Sequence, residues 1–192
     1  NYGSYSQLFV RSGDWMSSLV RFDLRAIPAG SKVMEASLDL YVTGSSNSNA
    51  MEMQAYGLRR NWEETRATWE LAGADASWGR AGANDTATDR ASQPAGSATV
   101  NGVSRWITLN VLDLVQGWVS NPSSNYGLVL KSFSSVGVQY NMTSSEYWNA
   151  ELRPRLTIRY VSASSPTATH TPTATRTPTQ VPVQPTQTNM PP

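Results

Sequence analysis

Leu19-Val20-Arg21-Phe22-Asp23-Leu24 alternates apolar and polar side chains, and Leu38-Asp39-Leu40-Tyr41-Val42 does the same. A period of two places one side-chain set in a core and the other in water, which is the signature of a β-strand. Ile27-Pro28-Ala29-Gly30 lies between them and reads as a turn. The pattern continues outward in Met51-Glu52-Met53-Gln54-Ala55-Tyr56, Trp106-Ile107-Thr108-Leu109 and Leu128-Val129-Leu130-Lys131. Val136-Gly137-Val138-Gln139-Tyr140 and Leu156-Thr157-Ile158-Arg159-Tyr160 complete it. Gly44-Ser45-Ser46-Asn47 and Asn121-Pro122-Ser123 punctuate the runs, so short strands joined by turns predict a sandwich or a barrel. One short helix is expected after Asn110 or Asp113, either of which can cap it, with Leu112, Val115 and Val119 near one face. It must stop at Asn121, because a residue before proline avoids the helical region. Trp118 is expected to plug one end of the fold.

The composition changes near Val161, which divides the chain into a globular part at 1–161 and a tail at 162–192. In the tail Ser165-Pro166-Thr167-Ala168-Thr169-His170 is followed by Thr171-Pro172-Thr173-Ala174-Thr175-Arg176 and Thr177-Pro178-Thr179, a period of six. Proline fixes φ and removes a backbone donor, so an extended Pro/Thr-rich linker or stalk is expected. Thr167, Thr173 and Thr179, each next to a proline, are candidates for O-glycosylation. Asn84-Asp85-Thr86 and Asn141-Met142-Thr143 fit the N-glycosylation sequon. The first residue is Asn1, not Met, which reads as a processed form or a fragment.

Several functional classes are excluded. The net charge is +1, which leaves no electrostatic footprint for nucleic acid. No apolar run reaches the roughly 20 residues of a membrane-spanning helix. Cysteine is absent and the single histidine, His170, lies in the tail. Ser–His–acid and Cys–His nucleophilic sites are therefore excluded from the globular part, and so are His- or Cys-ligated metals. No cofactor is expected. A glycosidase needs only two carboxylates, and Glu63, Glu64, Glu70, Asp75, Glu146 and Glu151 are the candidate acids. Glu63 and Glu64 are adjacent and would face opposite ways on a strand, while Glu70 is expected to pair with Arg66 in a packed loop. Asp85 and Asp89 could offer oxygens to calcium, but their spacing does not match an EF-hand loop and a solvated loop is expected. The chain is read as non-catalytic.

Seven Trp and eight Tyr against three Phe make a heavy aromatic load of the types that combine an apolar face with a polar edge. Trp62, Trp69, Trp78, Trp106 and Trp118 sit among apolar neighbours and read as structural. Trp15, in Ser12-Gly13-Asp14-Trp15, and Trp148, after Ser144-Ser145-Glu146-Tyr147, are the rings expected at the surface and the candidates for stacking on a sugar.

An ordered set of motifs spans residues 1–161. It runs through the first two alternating runs, Trp62-Glu63-Glu64-Thr65-Arg66-Ala67-Thr68-Trp69, and Leu109-Asn110-Val111-Leu112-Asp113-Leu114-Val115-Gln116-Gly117-Trp118. It ends with Asn125-Tyr126-Gly127-Leu128 and Arg153-Pro154-Arg155-Leu156-Thr157. This set resembles the DNRLRE-type extracellular β-sandwich domains, which are related to a carbohydrate-binding module family. The resemblance implies an all-β, jelly-roll-like antiparallel sandwich with one short helix, in secreted bacterial or archaeal proteins. Some relatives bind polysaccharides and others are surface or structural domains. Family members begin with a further strand and a Pro-containing link into Asn-Tyr-Gly, whereas this chain opens at Asn1-Tyr2-Gly3.

A sandwich one strand short exposes unpaired backbone groups that invite another chain. The tail segment Val181-Pro182-Val183-Gln184-Pro185-Thr186-Gln187-Thr188-Asn189 resembles the missing strand and its link. Donation to a neighbour would join copies head to tail into a homopolymer, an extracellular filament or surface layer. The residues expected to carry that assembly are Asn1, Tyr2, Leu8 and Val10 at the open margin and Val181, Val183, Pro185 and Asn189 in the donor. The alternative is a polysaccharide-binding module tethered by its Pro/Thr-rich linker.

Overall fold

The structure, a computed structural model, describes residues 1–163 and the backbone of 180–183 and 185–190. In chain order the elements are β1 (Gln7–Arg11), β2 (Ser17–Phe22), β3 (Lys32–Ser45), β4 (Met51–Gly57), β5 (Leu71–Gly73), β6 (Ala76–Ser77), β7 (Gly96–Val100) and β8 (Arg105–Asn110). Then follow α1 (Leu112–Ser120), β9 (Leu128–Lys131), β10 (Gln139–Thr143), β11 (Arg155–Val161), β12 (Gln180–Val183) and β13 (Pro185–Met190). Every pairing is antiparallel, and the strands form two main sheets, so the all-β sandwich expected from the period-two runs is the fold found.

The long strand β3 organises the first sheet. Its inward residues Leu38, Leu40 and Val42 are wholly buried, while Ser37, Asp39 and Tyr41 between them are half-buried. Val42 pairs both Arg105 of β8 and Met142 of β10, and Leu38 pairs both Leu109 of β8 and Leu156 of β11. Hence β8 lies along one edge of β3, and β10 and β11 share the other. β1 continues the sheet beyond β10. The second sheet runs β13-β2-β9-β4-β7. Between the sheets pack Val20, Phe22, Met53 and Leu130 from one side and Leu40, Tyr140, Met142 and Ile158 from the other. At about 25 cal/mol per Å² of apolar area removed from water, this cluster is the main source of stability in a chain without disulfides.

The second sheet is covered on its outer face as well. Leu19, Tyr56 and Val129 point away from the central core, and the connection from Leu58 to Ala95 folds over them with Trp62, Ala67, Ala72, Trp78 and Ala83. β9 is therefore buried at all four residues, and β2 at five of six. Alternation predicts one wet face here; strands buried on both faces lose that periodicity and read as nearly continuous apolar runs.

α1 starts where the Leu112 N–H donates to Asn110 Oδ1 at 3.0 Å, and it ends one residue before Asn121. Val115, Trp118 and Val119 are its buried residues. Two expectations need correction. The strand read at 136–140 is β10 at Gln139–Thr143, because Gly137 takes φ +65° and turns the chain there. Asn47 and Asn49 hold this turn by donating to the carbonyls of Gly137 and Val136. Arg66 pairs with Glu63 at 3.5 Å, three residues back in the same turn, and not with Glu70.

β12 pairs with β11, placing Val183 opposite Leu156 and Val181 opposite Ile158. β13 pairs with β2, placing Pro185 opposite Phe22 and Asn189 opposite Ser18. The segment read as a donor thus lies along both sheets of its own chain. Leu8 and Val10 are fully buried in the core, Asn1 donates its carboxamide to the Glu64 and Ala67 carbonyls, and Tyr2 packs edge-on to Tyr5 and Phe9. Ser18 of β2 ties to β1, its hydroxyl bonding both the N–H and the C=O of Phe9. Thr167, Thr173 and Thr179 lie outside the described residues.

Candidate functional site

The turn after β1 sets the site. Ser12–Asp14 is a single 3₁₀ turn in which both Gly13 (φ +71°) and Asp14 (φ +58°) are left-handed. Glycine adopts that region freely, whereas aspartate does so at a cost that surrounding contacts must offset. The Asp14 N–H donates to the Ser132 carbonyl at 2.7 Å, and Ser12 bonds Val138 through both its N–H and its hydroxyl. With the turn clamped this way, the Trp15 ring is left 63% exposed. Phe133, 46% exposed, lies on the same corner, next to Ser132.

Lys131, with no exposed surface, places its Nζ 5.9 Å from the Phe133 ring centre and 5.7 Å from that of Trp69. Its side chain leaves β9 on the outer face of the second sheet, under the 58–95 connection. Nζ donates to Asp14 Oδ1 at 2.8 Å, to the Gly82 carbonyl at 2.6 Å and to Ser17 Oγ at 3.2 Å. Burial pushes this ammonium down to about 8, against the opposing pull of Asp14. Asp14 Oδ2 accepts from the Asn84 carboxamide at 2.7 Å. Arg90, 7% exposed, lies 4.3 Å from the Tyr56 ring centre and 5.4 Å from that of Phe133. Burial raises the Tyr56 phenol above its ordinary value, with Arg90 opposing.

Strain and unpaired polarity concentrate at this corner. Asn84 Oδ1, Arg90 Nε and Ser132 Oγ are three of the four buried side-chain polar atoms without a partner among the described residues. Ala83, beside Asn84, is another left-handed non-glycine residue at φ +56°. Buried polar atoms in folded proteins are nearly always satisfied, so such a cluster calls for a functional explanation. The neighbouring loop is held by a buried carboxylate. Asp89, fully buried, accepts from the N–H groups of Gly79, Arg80 and Asp85 at 2.8, 3.0 and 3.1 Å. This corrects the solvated-loop expectation, because the Asp89 carboxylate is consumed as a backbone cap. Asp85 is spent likewise on the Ala87 N–H, which with its other hydrogen bonds holds its carboxyl below the ordinary range. Among the described residues, no group of three or more His, Cys, Asp or Glu could hold a metal ion.

Trp148 is 81% exposed, as expected, and lies tilted against Tyr147 with ring centres 5.8 Å apart. It follows β10 at the Gln7 end of β1, whereas Trp15 follows the Arg11 end. The two residues thus lie off opposite ends of β1, a strand about 16 Å long at 3.3 Å per residue. Turn context predicts the exposure of both tryptophans. It misses Phe133, Lys131, Arg90 and Asn84, which lie far apart in the sequence and meet only through sheet register. Of the carboxylates weighed for hydrolysis, Glu63 is engaged by Arg66 and the Ala74 N–H.

A cavity of about 650 Å³ opens elsewhere, at the far end of β2, with Phe22, Leu24, Ile27 and Trp118 in its lining. Its charged residues are already paired: Arg25 bonds Asp23, and Arg21 donates to Asn61 at 2.8 Å. Volume favours this cavity, whereas chemistry favours the Trp15 corner. Recognition of a polar ligand depends on placed polar groups and open aromatic faces more than on volume, so the corner is the better candidate.

No curated protein matches the chain. The profile described as carbohydrate-binding module family 96 matches residues 1–160, from the N-terminus to the penultimate residue of β11. The chain therefore belongs to carbohydrate-binding module family 96.

Proposed function

We propose that this sandwich is a non-catalytic, extracellular polysaccharide-binding module, held to its surroundings by the Pro/Thr-rich tail. Trp15 and Phe133 form the platform on which a sugar ring stacks. Asp14, Asn84, Arg90 and Lys131 fix the platform and give the corner its polar character. One observation carries the reading: the exposed Trp15 and Phe133 directly follow Asp14 and Ser132, which are hydrogen-bonded to each other and bring together a left-handed backbone and an unpaired buried hydroxyl. An aromatic ring covers the apolar C–H face of a pyranose while neighbouring polar groups bond its hydroxyls, and neither step needs a nucleophile or a metal. The placement of the tail along the chain's own β2 and β11 favours a self-contained module over a subunit that needs a neighbour's strand.

Affinity electrophoresis through gels containing neutral and acidic polysaccharides tests this. The chain should be retarded by at least one of them. Trp15→Ala should weaken retention about 30-fold or more, the loss typical of a central aromatic anchor, and Trp148→Ala should not. Free migration of the wild-type chain through every glycan tested would reject the proposal.

A further inference from the structure

We propose that Lys131 is the positioning residue of the Trp15 platform, and that neutralising its ammonium frees the Trp15 turn and weakens ligand binding. The inference rests on the sugar-platform reading and adds a control to it. Three segments converge on one nitrogen: the turn carrying Asp14, the end of β9 and the loop carrying Gly82. The three contacts, to Asp14, Ser17 and Gly82, lie 117, 114 and 49 residues away in the sequence, so no local structure can replace the clasp. Trp15 is the next residue after Asp14, whose left-handed backbone depends on what holds its side chain.

The groups facing Lys131 set the sign. Asp14 faces it from the turn, Asp89 and Arg90 from the covering loop, and the Tyr56 ring centre lies 4.3 Å from the Arg90 guanidinium. Arg60 reaches Asp89 at 3.6 Å and already has that carboxylate as its partner. When Lys131 loses its proton, Asp14 keeps Ser17 and Asn84 as donors but has no cation. Its side chain is 12% exposed, so water compensates little. The ammonium is lost as pH rises through about 8. In the unfolded chain the same amine keeps its proton to about 10.5. Between those values the unfolded state binds more protons, so this group makes the fold relatively more stable as pH rises. The clasp therefore loosens while global stability does not fall on its account. General alkaline unfolding would move both in the same direction.

The test follows the indole N–H resonances of ¹⁵N-tryptophan-labelled protein from about pH 6.5 to about 9.5, with Trp15 assigned by Trp15→Phe and unfolding measured in parallel. The Trp15 resonance should titrate with a midpoint near 8 while Trp118 and Trp148 stay fixed, and glycan retention should fall about tenfold over the same range. In Lys131→Met the Trp15 resonance should be flat with pH and retention weak throughout. The wild-type titration decides the matter even if that variant does not fold. A Trp15 resonance insensitive to pH in a folded protein that still binds glycan overturns the clasp and leaves the binding reading intact. A titrating Trp15 in a protein that binds no glycan supports the clasp and rejects the binding reading.

Discussion

Asp89→Asn should destabilise the domain by about 3–5 kcal/mol. The carboxylate is fully buried and accepts three backbone N–H groups at 2.8, 3.0 and 3.1 Å, with the Thr88 hydroxyl at 3.3 Å and Arg60 at 3.6 Å. The amide isostere keeps the shape but turns one acceptor into an NH₂ group. If Oδ1 survives, the Arg80 and Asp85 N–H groups face a donor; if Oδ2 survives, Gly79 faces it. Hydrogen bonds to a charged acceptor are worth about 1.5–3 kcal/mol each, and an orphaned buried donor costs a similar amount. Losing one or two of them together with the charge gives the stated range, a large share of the 5–15 kcal/mol that holds a typical domain folded. Urea denaturation is the assay, where a slope of about 2 kcal/mol per molar implies a midpoint lower by roughly 2 M. Thr88→Ala, which removes only the 3.3 Å contact, should cost under about 1 kcal/mol. Calcium should leave both midpoints unchanged, because the carboxylate has no capacity left for an ion. An Asp89→Asn variant within about 0.5 kcal/mol of wild type, or a midpoint raised by calcium, would refute this account of the loop.

Other substitutions probe the layers around the site. Gly127 has φ +81°, and a Cβ there would strike the Val20 carbonyl oxygen and lie 2.8 Å from Arg21 Cβ, so Gly127→Ala should cost about 3 kcal/mol or more in thermal unfolding. A neutral result would mean that the 125–127 turn does not press on β2. Trp62→Phe keeps most of a ring that is 2% exposed but loses the indole bond to the Tyr126 carbonyl at 2.7 Å, and about 1–2 kcal/mol is expected in urea. An unchanged midpoint would deny the outer core its anchor. Truncation after residue 163 bares the edges of β2 and β11, and their amides should exchange with solvent about tenfold faster or more. Equal exchange rates would show that the tail strands do not protect those edges.

Much of the fold is legible in the sequence. The alternation at 38–42 places Leu38, Leu40 and Val42 inward as found, and the prolyl stop at Asn121-Pro122 marks the helix end to within a residue. The outer layer is not legible. Nothing local distinguishes a half-wet strand from one covered by a distant connection, so Leu19, Tyr56 and Val129 look solvent-facing until Trp62 and Trp78 arrive over them. The site divides the same way. A tryptophan in a polar Ser-Gly-Asp turn has few ways to be buried, so Trp15 can be found by eye. Lys131 closes an alternating run and reads as a solvated strand end, yet it has no exposed surface because the 79–84 loop lies over it. A lysine is seldom buried without a partner, and that partner, Asp14, is 117 residues away.

The most direct test of the binding account is a titration of ¹⁵N-tryptophan-labelled protein, at neutral pH, with an oligosaccharide of whichever glycan retards it. The seven indole N–H signals report seven separate places in the fold. The Trp15 resonance should move in a saturable way, with a smaller response from Trp69 next to Lys131, while Trp106, Trp118 and Trp148 stay still. Saturable movement of Trp148, or of Trp118 at the far cavity, with Trp15 unmoved would place the ligand elsewhere and contradict the account.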